Sequence, residues 1–161
     1  MTTSLSIRTE AEPRDRGRVR EITLATEMFH PPEVDVAVEL VDDRLARGAQ
    51  SDYLFLFADV ARETLGYACY GWNSMTLTSW ELYWIAVDPR AQGRGVGRQL
   101  LDVVEQDIAR RGGTRLYVET SGRPAYAPTR AFYLARDYAV AAELPHFYAP
   151  DDGKVIFVKV F

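Results

Sequence analysis

The chain contains very little cysteine or histidine and no long apolar segment. Cys69 is the single cysteine of 161 residues, which rules out an internal disulfide and predicts a reducing, cytoplasmic location. The two histidines, His30 and His146, lie beside prolines without a companion at metal-ligand spacing, so we predict no metal site. No apolar run reaches the length of a bilayer span, and residues 1–7 lack the pattern of a signal peptide.

The chain also lacks a strong excess of charge. Its formal net charge is −4, and charged residues make up 26% of the sequence. Such a surface is not expected to bind nucleic acid or an anionic membrane, whereas a cationic ligand is compatible with it. Hydrophobic residues account for 47% of the chain, which is enough to build a core, and the length predicts one domain over residues 1–161.

Three glycines stand out in the segment from Gln92 to Gly97. The segment follows an apolar strand pattern at 82–87 and precedes a helical pattern that begins near Val96. A turn of this kind presents backbone N–H groups to an anion at the positive end of the helix dipole. Arg94 and Arg98 add charged donors that suit phosphate, so the segment predicts a diphosphate site.

The spacing of these glycines excludes two well-known phosphate loops. A Walker loop ends in a Gly-Lys pair, and no lysine stands at that position. The dinucleotide fingerprint needs a third glycine where this chain has Arg98. The spacing Gln92-x-x-Gly95-x-Gly97 instead resembles the diphosphate loop of the GCN5-related N-acetyltransferases, the GNAT family. In that family the loop holds the pyrophosphate of acetyl-coenzyme A (acetyl-CoA), which is the cofactor that the resemblance implies.

The hydrophobic periodicity agrees with this resemblance. Alternating, β-branched segments predict strands, and apolar residues at helical spacing predict helices. The predicted strands are 5–9, 53–60, 64–72, 78–87, 115–120, 138–144 and 155–161, and the predicted helices are 13–29, 34–45, 96–111 and 128–137. A longer loop that contains Pro145 is expected between the last two strands. The order matches the α/β (α+β) fold of the family, a mixed, mostly antiparallel sheet of about seven strands flanked by about four helices.

The strand at 78–87 places a carboxylate, Glu81, among apolar residues. Side chains alternate along a strand, so Glu81 and Tyr83 share one face. Partial burial would raise the pKa of Glu81 towards the range of a general base, and acetyl transfer to an ammonium needs such a base. The resemblance implies the same role, because family members carry a glutamate at this position that acts through water. Glu119 on the neighbouring strand, or water alone, is the alternative.

The segment 129–138 resembles a second family motif, in which Tyr133 matches the tyrosine that lies near the coenzyme sulfur. Its hydroxyl can protonate the departing thiolate or can instead hold the thioester in place. Asp137 replaces the usual glycine of this motif, and Tyr126 stands where the family often has asparagine. The resemblance also implies cofactor contacts. These fall on the main chain of Ile85, Ala86 and Val87, on Gln92, Gly93, Arg94, Gly95, Val96, Gly97 and Arg98, and on Tyr126 and Thr129.

The acceptor pocket is expected between the segments 29–33 and 144–148, with aromatic residues of the sheet as a wall. Its candidate residues are Phe29, His30, Trp72, Tyr83, Glu119, His146 and Tyr148. The sequence thus predicts an acetyl-CoA-dependent N-acetyltransferase that acts directly on a primary amine of a small molecule or peptide. Two alternatives stay open, a non-catalytic acyl-CoA-binding or regulatory domain and an acyltransferase with another donor or acceptor. A homodimer is also compatible, since dimers are frequent in the family.

Overall fold

The computed structural model describes residues 4–161 of the chain. Residues 1–3, which belong to the segment considered above for a signal peptide, lie outside this description. The α-helices are α1 (Asp15–Ala25), α2 (Pro31–Arg47), α3 (Val96–Arg110) and α4 (Ala127–Leu134). No helix within residues 4–161 is long and apolar enough to cross a membrane.

The strands form one mixed sheet. They are β1 (Ser6–Arg8), β2 (Leu54–Val60), β3 (Glu63–Trp72), β4 (Ser79–Val87), β5 (Arg115–Ser121), β6 (Ala139–Ala149) and β7 (Asp152–Val160), in the order β1-β2-β3-β4-β5-β7-β6. β4 pairs with β5 in parallel, whereas β5 with β7 and β6 with β7 are antiparallel. The predicted α/β fold class and the predicted order of elements are therefore confirmed.

The chain divides into two compact units. The first contains the described residues through Gly71 together with Trp84–Asp107, and the second contains Trp72–Tyr83 together with Ile108–Phe161. The boundary cuts β4 after Tyr83, so each unit receives part of that strand. The prediction of a single domain over residues 1–161 stays a prediction.

In the first unit, α2 shows how the sequence sets a helix. Prolines at 31 and 32 suit a first turn because their N–H groups would be unsatisfied there in any case. The Glu33 carboxylate accepts a hydrogen bond from the His30 N–H at 2.7 Å, which caps the same end. Val34, Val38 and Val41 form the buried stripe.

A buried ion-pair cluster ties β1 to its neighbours in the first unit. The Arg8 guanidinium donates to both oxygens of Asp15, at 2.8 and 2.9 Å, and to Asp59 at 2.8 Å. Asp15 is fully buried at the start of α1, where this bidentate partner and the Glu12 N–H, at 2.7 Å, satisfy its carboxylate oxygens.

In the second unit, the alternation of side chains gives the sheet two distinct faces. Val118 on β5 pairs with Phe157 on β7, and both are buried on the face that receives Tyr133 of α4. Glu119 pairs with Ile156, and these residues point to the opposite face. The unit therefore has a packed aromatic side and a more open side.

The hairpin between β6 and β7 differs from the prediction. A longer loop was expected from Pro145 onwards, but β6 continues to Ala149 and β7 already begins at Asp152. The register shifts between Leu144 and Ala149, which pair with Lys154 and Asp152. Three extra residues on β6 are thus absorbed as a bulge, and an edge strand tolerates Pro145 there because a proline lacks only an outward N–H.

Candidate active site

The glycine loop, Gln92–Gly97, has the geometry of an anion cradle. Gly93 and Gly95 adopt φ values of 78° and 77°, a conformation that side-chain-bearing residues rarely occupy. Both are exposed, and no heavy atom of a non-neighbouring residue lies within 4 Å of the position that a Cβ would take. The loop leads directly into α3, whose first N–H groups have no partner within the helix. A phosphate therefore finds open space, free donors and the positive helix end together.

The first turn of α3 is held by close packing inside the first unit. A Cβ on Gly66 of β3 would lie 3.0 Å from the Ala86 carbonyl oxygen and 3.1 Å from Val96. Glycine at 66 therefore lets the buried residues Val96 and Leu100 of α3 settle against the strands. Gln92 adds a hydrogen bond from its amide to the Val87 carbonyl at 3.3 Å, which fastens the loop to the end of β4.

Asp88 anchors the chain between β4 and the glycine loop. Its buried carboxylate accepts hydrogen bonds from Arg90 at 2.8 Å and from Arg18 of α1 at 2.6 Å. It also accepts the Arg90 backbone N–H at 3.0 Å, which caps the turn Pro89–Ala91. The Arg90 side chain first, then its N–H and the Arg18 guanidinium, hold the pKa of Asp88 well below its usual range.

Replacement of Asp88 with asparagine is expected to lower the free energy of unfolding at pH 7 by about 1.5–3 kcal/mol. A carboxyl whose pKa is depressed in the folded state stabilises the protein above its unfolded pKa of about 4, and this contribution is lost as pH falls further. The difference in the free energy of unfolding between wild type and Asp88→Asn should therefore be smaller at pH 3 than at pH 7. Urea unfolding at both pH values measures this difference, and the exposed Asp52→Asn is the control. An equal difference at both pH values would contradict a depressed pKa of Asp88.

A cavity of about 400 Å³ lies where the β4–β5 ladder ends in the second unit. The ladder runs from Ser79↔Arg115 to Leu82↔Val118. The next residues along these strands, Tyr83 and Glu119, have no register pair with each other in the described ladder. The cavity, called here the strand-end cavity, is lined by Glu81, Leu82, Tyr83, Tyr117, Glu119 and Ile156.

Glu81 lies in this cavity, half-buried, with a neutral partner. Its Oε1 accepts a hydrogen bond from Asn73 Nδ2 at 3.1 Å. The orientation of the Asn73 amide is set by the turn, because its Oδ1 accepts the Met75 N–H at 3.1 Å. The Asn73 carbonyl in turn accepts from the Thr76 N–H at 3.0 Å. A rigid turn therefore aims an N–H at Glu81 without placing a positive charge on it.

Glu119, the other carboxylate of the strand-end cavity, has a charged partner. Its Oε2 lies 2.9 Å from Lys154 Nζ. The Lys154 ammonium also lies 3.8 Å from the centre of the Phe147 ring and 5.5 Å from that of Tyr148. Glu119, whose side chain is 58% exposed, is thus engaged in an ion pair, whereas the partner of Glu81 is neutral.

Tyr133 lies on the other face of the sheet in the second unit. Its ring is buried, with ring centres of Tyr138 and Phe157 at 5.3 and 5.6 Å. Phe157 belongs to the face opposite Glu119 and Ile156, so Tyr133 approaches the sheet from the side away from Glu81. Burial raises the pKa of the Tyr133 phenol well above its ordinary value. The hydroxyl therefore keeps its proton throughout the physiological pH range.

The remaining predicted site residues occupy varied positions. Tyr126 lies just before α4, and the centre of its ring is 5.4 Å from the Arg123 guanidinium carbon. Thr129 is half-buried within α4. His146, with φ 60°, accepts the Asp151 N–H at its Nδ1, which binds it into the hairpin turn. Trp72, His146 and Tyr148 are not among the residues that line the strand-end cavity.

Two predicted acceptor residues lie in the first unit. The Phe29 ring packs edge-on against Trp84, with centres 4.9 Å apart, and exposed His30 precedes α2. Their contribution to an acceptor pocket stays a prediction.

Sequence reasoning missed Asn73, Lys154 and the Arg18–Asp88–Arg90 group. The sequence gives no indication that Asn73 contacts Glu81, because asparagine is common in turns for many reasons. Lys154 lies 35 positions from Glu119 along the chain, and only the β5–β7 register brings the two together.

Comparison with known proteins gives concordant results. The sequence pattern of the acetyltransferase (GNAT) family matches residues 18–138. Mycothiol acetyltransferase of Mycolicibacterium paratuberculosis is 32% identical over 141 residues, which are 84% of this chain and 42% of that protein. The chain thus spans less than half the length of this curated relative.

Solved structures extend the likeness to the backbone. A Desulfovibrio desulfuricans protein assigned to the GNAT family of acetyltransferases has a TM-score of 0.95 and 42% identity, covering 98% of this chain and 99% of its own. A Salmonella typhimurium protein solved with its cofactor acetyl-CoA has a TM-score of 0.76 and 19% identity, covering 98% of this chain and 94% of its own. The second likeness is one of fold alone.

Proposed function

The chain belongs to the acetyltransferase (GNAT) family, and we propose that it transfers the acetyl group of acetyl-CoA to a primary amine. The observation that carries this proposal is the glycine loop, where two exposed left-handed glycines open onto the start of α3. The cofactor bound in the Salmonella typhimurium protein of the same fold supports the choice of ligand.

The residues present suit the diphosphate of coenzyme A. Gly93 and Gly95 leave the space that a Cβ would fill, and exposed Arg94 and Arg98 supply charged donors. In this proposal Gln92 to Arg98 hold the diphosphate and the main chain of 85–87 binds the pantetheine amides. The bound cofactor supplies a thioester whose acetyl carbon the amine attacks.

Two side chains move the protons in this proposal. Glu81, directly or through a water molecule, takes a proton from the acceptor ammonium, so that the nitrogen lone pair becomes available. The new N–C bond forms as the C–S bond breaks, and the Tyr133 hydroxyl donates its proton to the departing sulfur. The amide nitrogen then loses its remaining extra proton, which restores the Tyr133 hydroxyl through water, and Glu81 releases its proton to solvent. During transfer the amine nitrogen and the thiol sulfur are bonded to the same carbon. The proposal therefore requires Glu81 and Tyr133, which lie on opposite faces of the sheet, to reach that one point.

Replacement of Tyr133 with phenylalanine is expected to slow acetyl transfer by about 10²-fold while the fold stays intact. The substitution removes only the hydroxyl and keeps the ring contacts with Tyr138 and Phe157. Because burial raises the pKa of the Tyr133 phenol, wild-type activity should show no loss from its ionisation up to pH about 10. Single-turnover rates measure the effect, with Tyr138→Phe as the matched control. An unaltered rate in Tyr133→Phe would remove its role as acid.

The proposed function is tested by two measurements on the wild-type chain. Calorimetry should detect binding of acetyl-CoA, and release of free thiol should depend on an added amine. Failure of acetyl-CoA to bind would end the proposal. Binding with only slow hydrolysis and no productive amine would favour the non-catalytic acyl-CoA-binding alternative.

A further inference from the structure

The lining of the strand-end cavity limits the kind of amine that can occupy it. The lining consists of two carboxylates, Glu81 and Glu119, two tyrosines, Tyr83 and Tyr117, and the aliphatic Leu82 and Ile156. No arginine, lysine or histidine is among these lining residues. A ligand here therefore meets negative charge, aromatic rings and aliphatic groups.

The charge of the cavity is smaller than its two carboxylates suggest. Glu119 is paired with Lys154 at 2.9 Å, and the Lys154 side chain is only 10% exposed. The rings of Phe147 and Tyr148 cover that ammonium from other sides. Glu81, by contrast, has the neutral Asn73 amide as its partner. One uncompensated negative charge is thus left for a ligand.

This balance selects a ligand with one positive charge. An ammonium beside Glu81 compensates that carboxylate, but a second cation would find Glu119 already paired. A carboxylate on the ligand would face Glu81, and the nearby cation, Lys154, is already used by Glu119. A second charge on the ligand would therefore lack an unengaged partner of opposite sign among the lining residues, so polycations and free amino acids are both disfavoured.

The uncharged lining residues indicate which uncharged part of a ligand the cavity can contact. Tyr83, Tyr117 and Ile156 lie on the same face as Glu81 and offer apolar contacts, whereas the buried side chain of Leu82 points to the opposite face. A volume of about 400 Å³ is at the small end of the range for ligand pockets. Resting on the proposed function, we infer that the acceptor is a small primary amine with a single positive charge on an aromatic or similarly apolar body and no carboxylate, of which 2-phenylethylamine is the simplest probe.

A matched set of amines tests this inference. After calorimetry with acetyl-CoA, thiol release is measured with 2-phenylethylamine, L-phenylalanine, spermidine and a short C-terminally amidated peptide. We expect kcat/KM for 2-phenylethylamine to exceed that for each of the others by roughly 10-fold or more. An equal or better rate with any of them overturns the inference, as does no turnover of 2-phenylethylamine. The proposed function stands in both cases where acetyl-CoA binds and at least one other amine of the set is acetylated, so the two failures are distinguishable.

A charge variant provides a second, independent readout. Glu119→Gln removes the partner of Lys154 and should release that ammonium for a ligand carboxylate. The ratio of kcat/KM for 2-phenylethylamine to that for L-phenylalanine should then fall by about 10-fold. Glu143→Gln makes the same change at an exposed site on β6 that pairs with Val155, on the other face, and should leave the ratio unchanged. An unchanged ratio in Glu119→Gln, with the thermal midpoint retained, contradicts the proposed charge balance.

Discussion

Replacement of Glu81 with glutamine is expected to lower kcat for amine acetylation by about 10²–10⁴-fold and to leave the Kd for acetyl-CoA nearly unchanged. Glutamine has the size of glutamate and keeps an oxygen that can accept the Asn73 N–H. It cannot, however, take a proton from an ammonium at neutral pH. The fold and the diphosphate loop should therefore be unchanged, while acetyl transfer becomes slower because it lacks a general base.

The measurement is steady-state thiol release with a saturating amine, together with calorimetry of acetyl-CoA. Glu143→Gln, an exposed change of the same charge, is the matched control. A kcat within a few-fold of wild type in Glu81→Gln, beside a large loss in Glu119→Gln, would move the base to Glu119. The ion pair between Glu119 and Lys154 at 2.9 Å argues against that outcome, because the carboxylate is already occupied.

The features that could be read from the sequence are those determined by neighbouring residues. The glycine loop is recognisable because two left-handed positions and a helix start lie within five residues. The alternation along β4 likewise places Glu81 and Tyr83 on one face, and the cavity lining agrees with this. Asp137 stands where the family motif usually has glycine, and its φ of 66° is a left-handed conformation that aspartate tolerates better than most residues do.

The features that could not be read depend on register or on competing local signals. Lys154 reaches Glu119 only because β7 is aligned antiparallel to β5 in one particular register. Pro145 indicated a loop, yet β6 is the last strand of the sheet order, where a proline costs no ladder hydrogen bond on its open side. The Asn73–Glu81 contact needs the full geometry of the turn between β3 and β4.

Replacement of Gly95 with alanine is expected to weaken acetyl-CoA binding by at least about 10-fold, which corresponds to 1.4 kcal/mol. The backbone at this position has φ 77°, so alanine brings a strain of about 1–2 kcal/mol. The new methyl group has no atom of a non-neighbouring residue within 4 Å and instead occupies the space proposed for the diphosphate. The loss should therefore appear in the Kd, because the methyl group excludes the ligand while the folded chain accommodates it.

Gly112→Ala separates these two effects. Gly112 has nearly the same conformation, φ 81°, and is equally open, but it lies beyond the C-terminal end of α3. Alanine there carries a similar strain and should lower the thermal midpoint as much as Gly95→Ala does, with no change in the Kd for acetyl-CoA measured by calorimetry. If the two variants bind acetyl-CoA equally well, the methyl group at 95 does not meet the ligand. The diphosphate must then lie away from the glycine loop, because no anion could fill the cradle without contacting that methyl group.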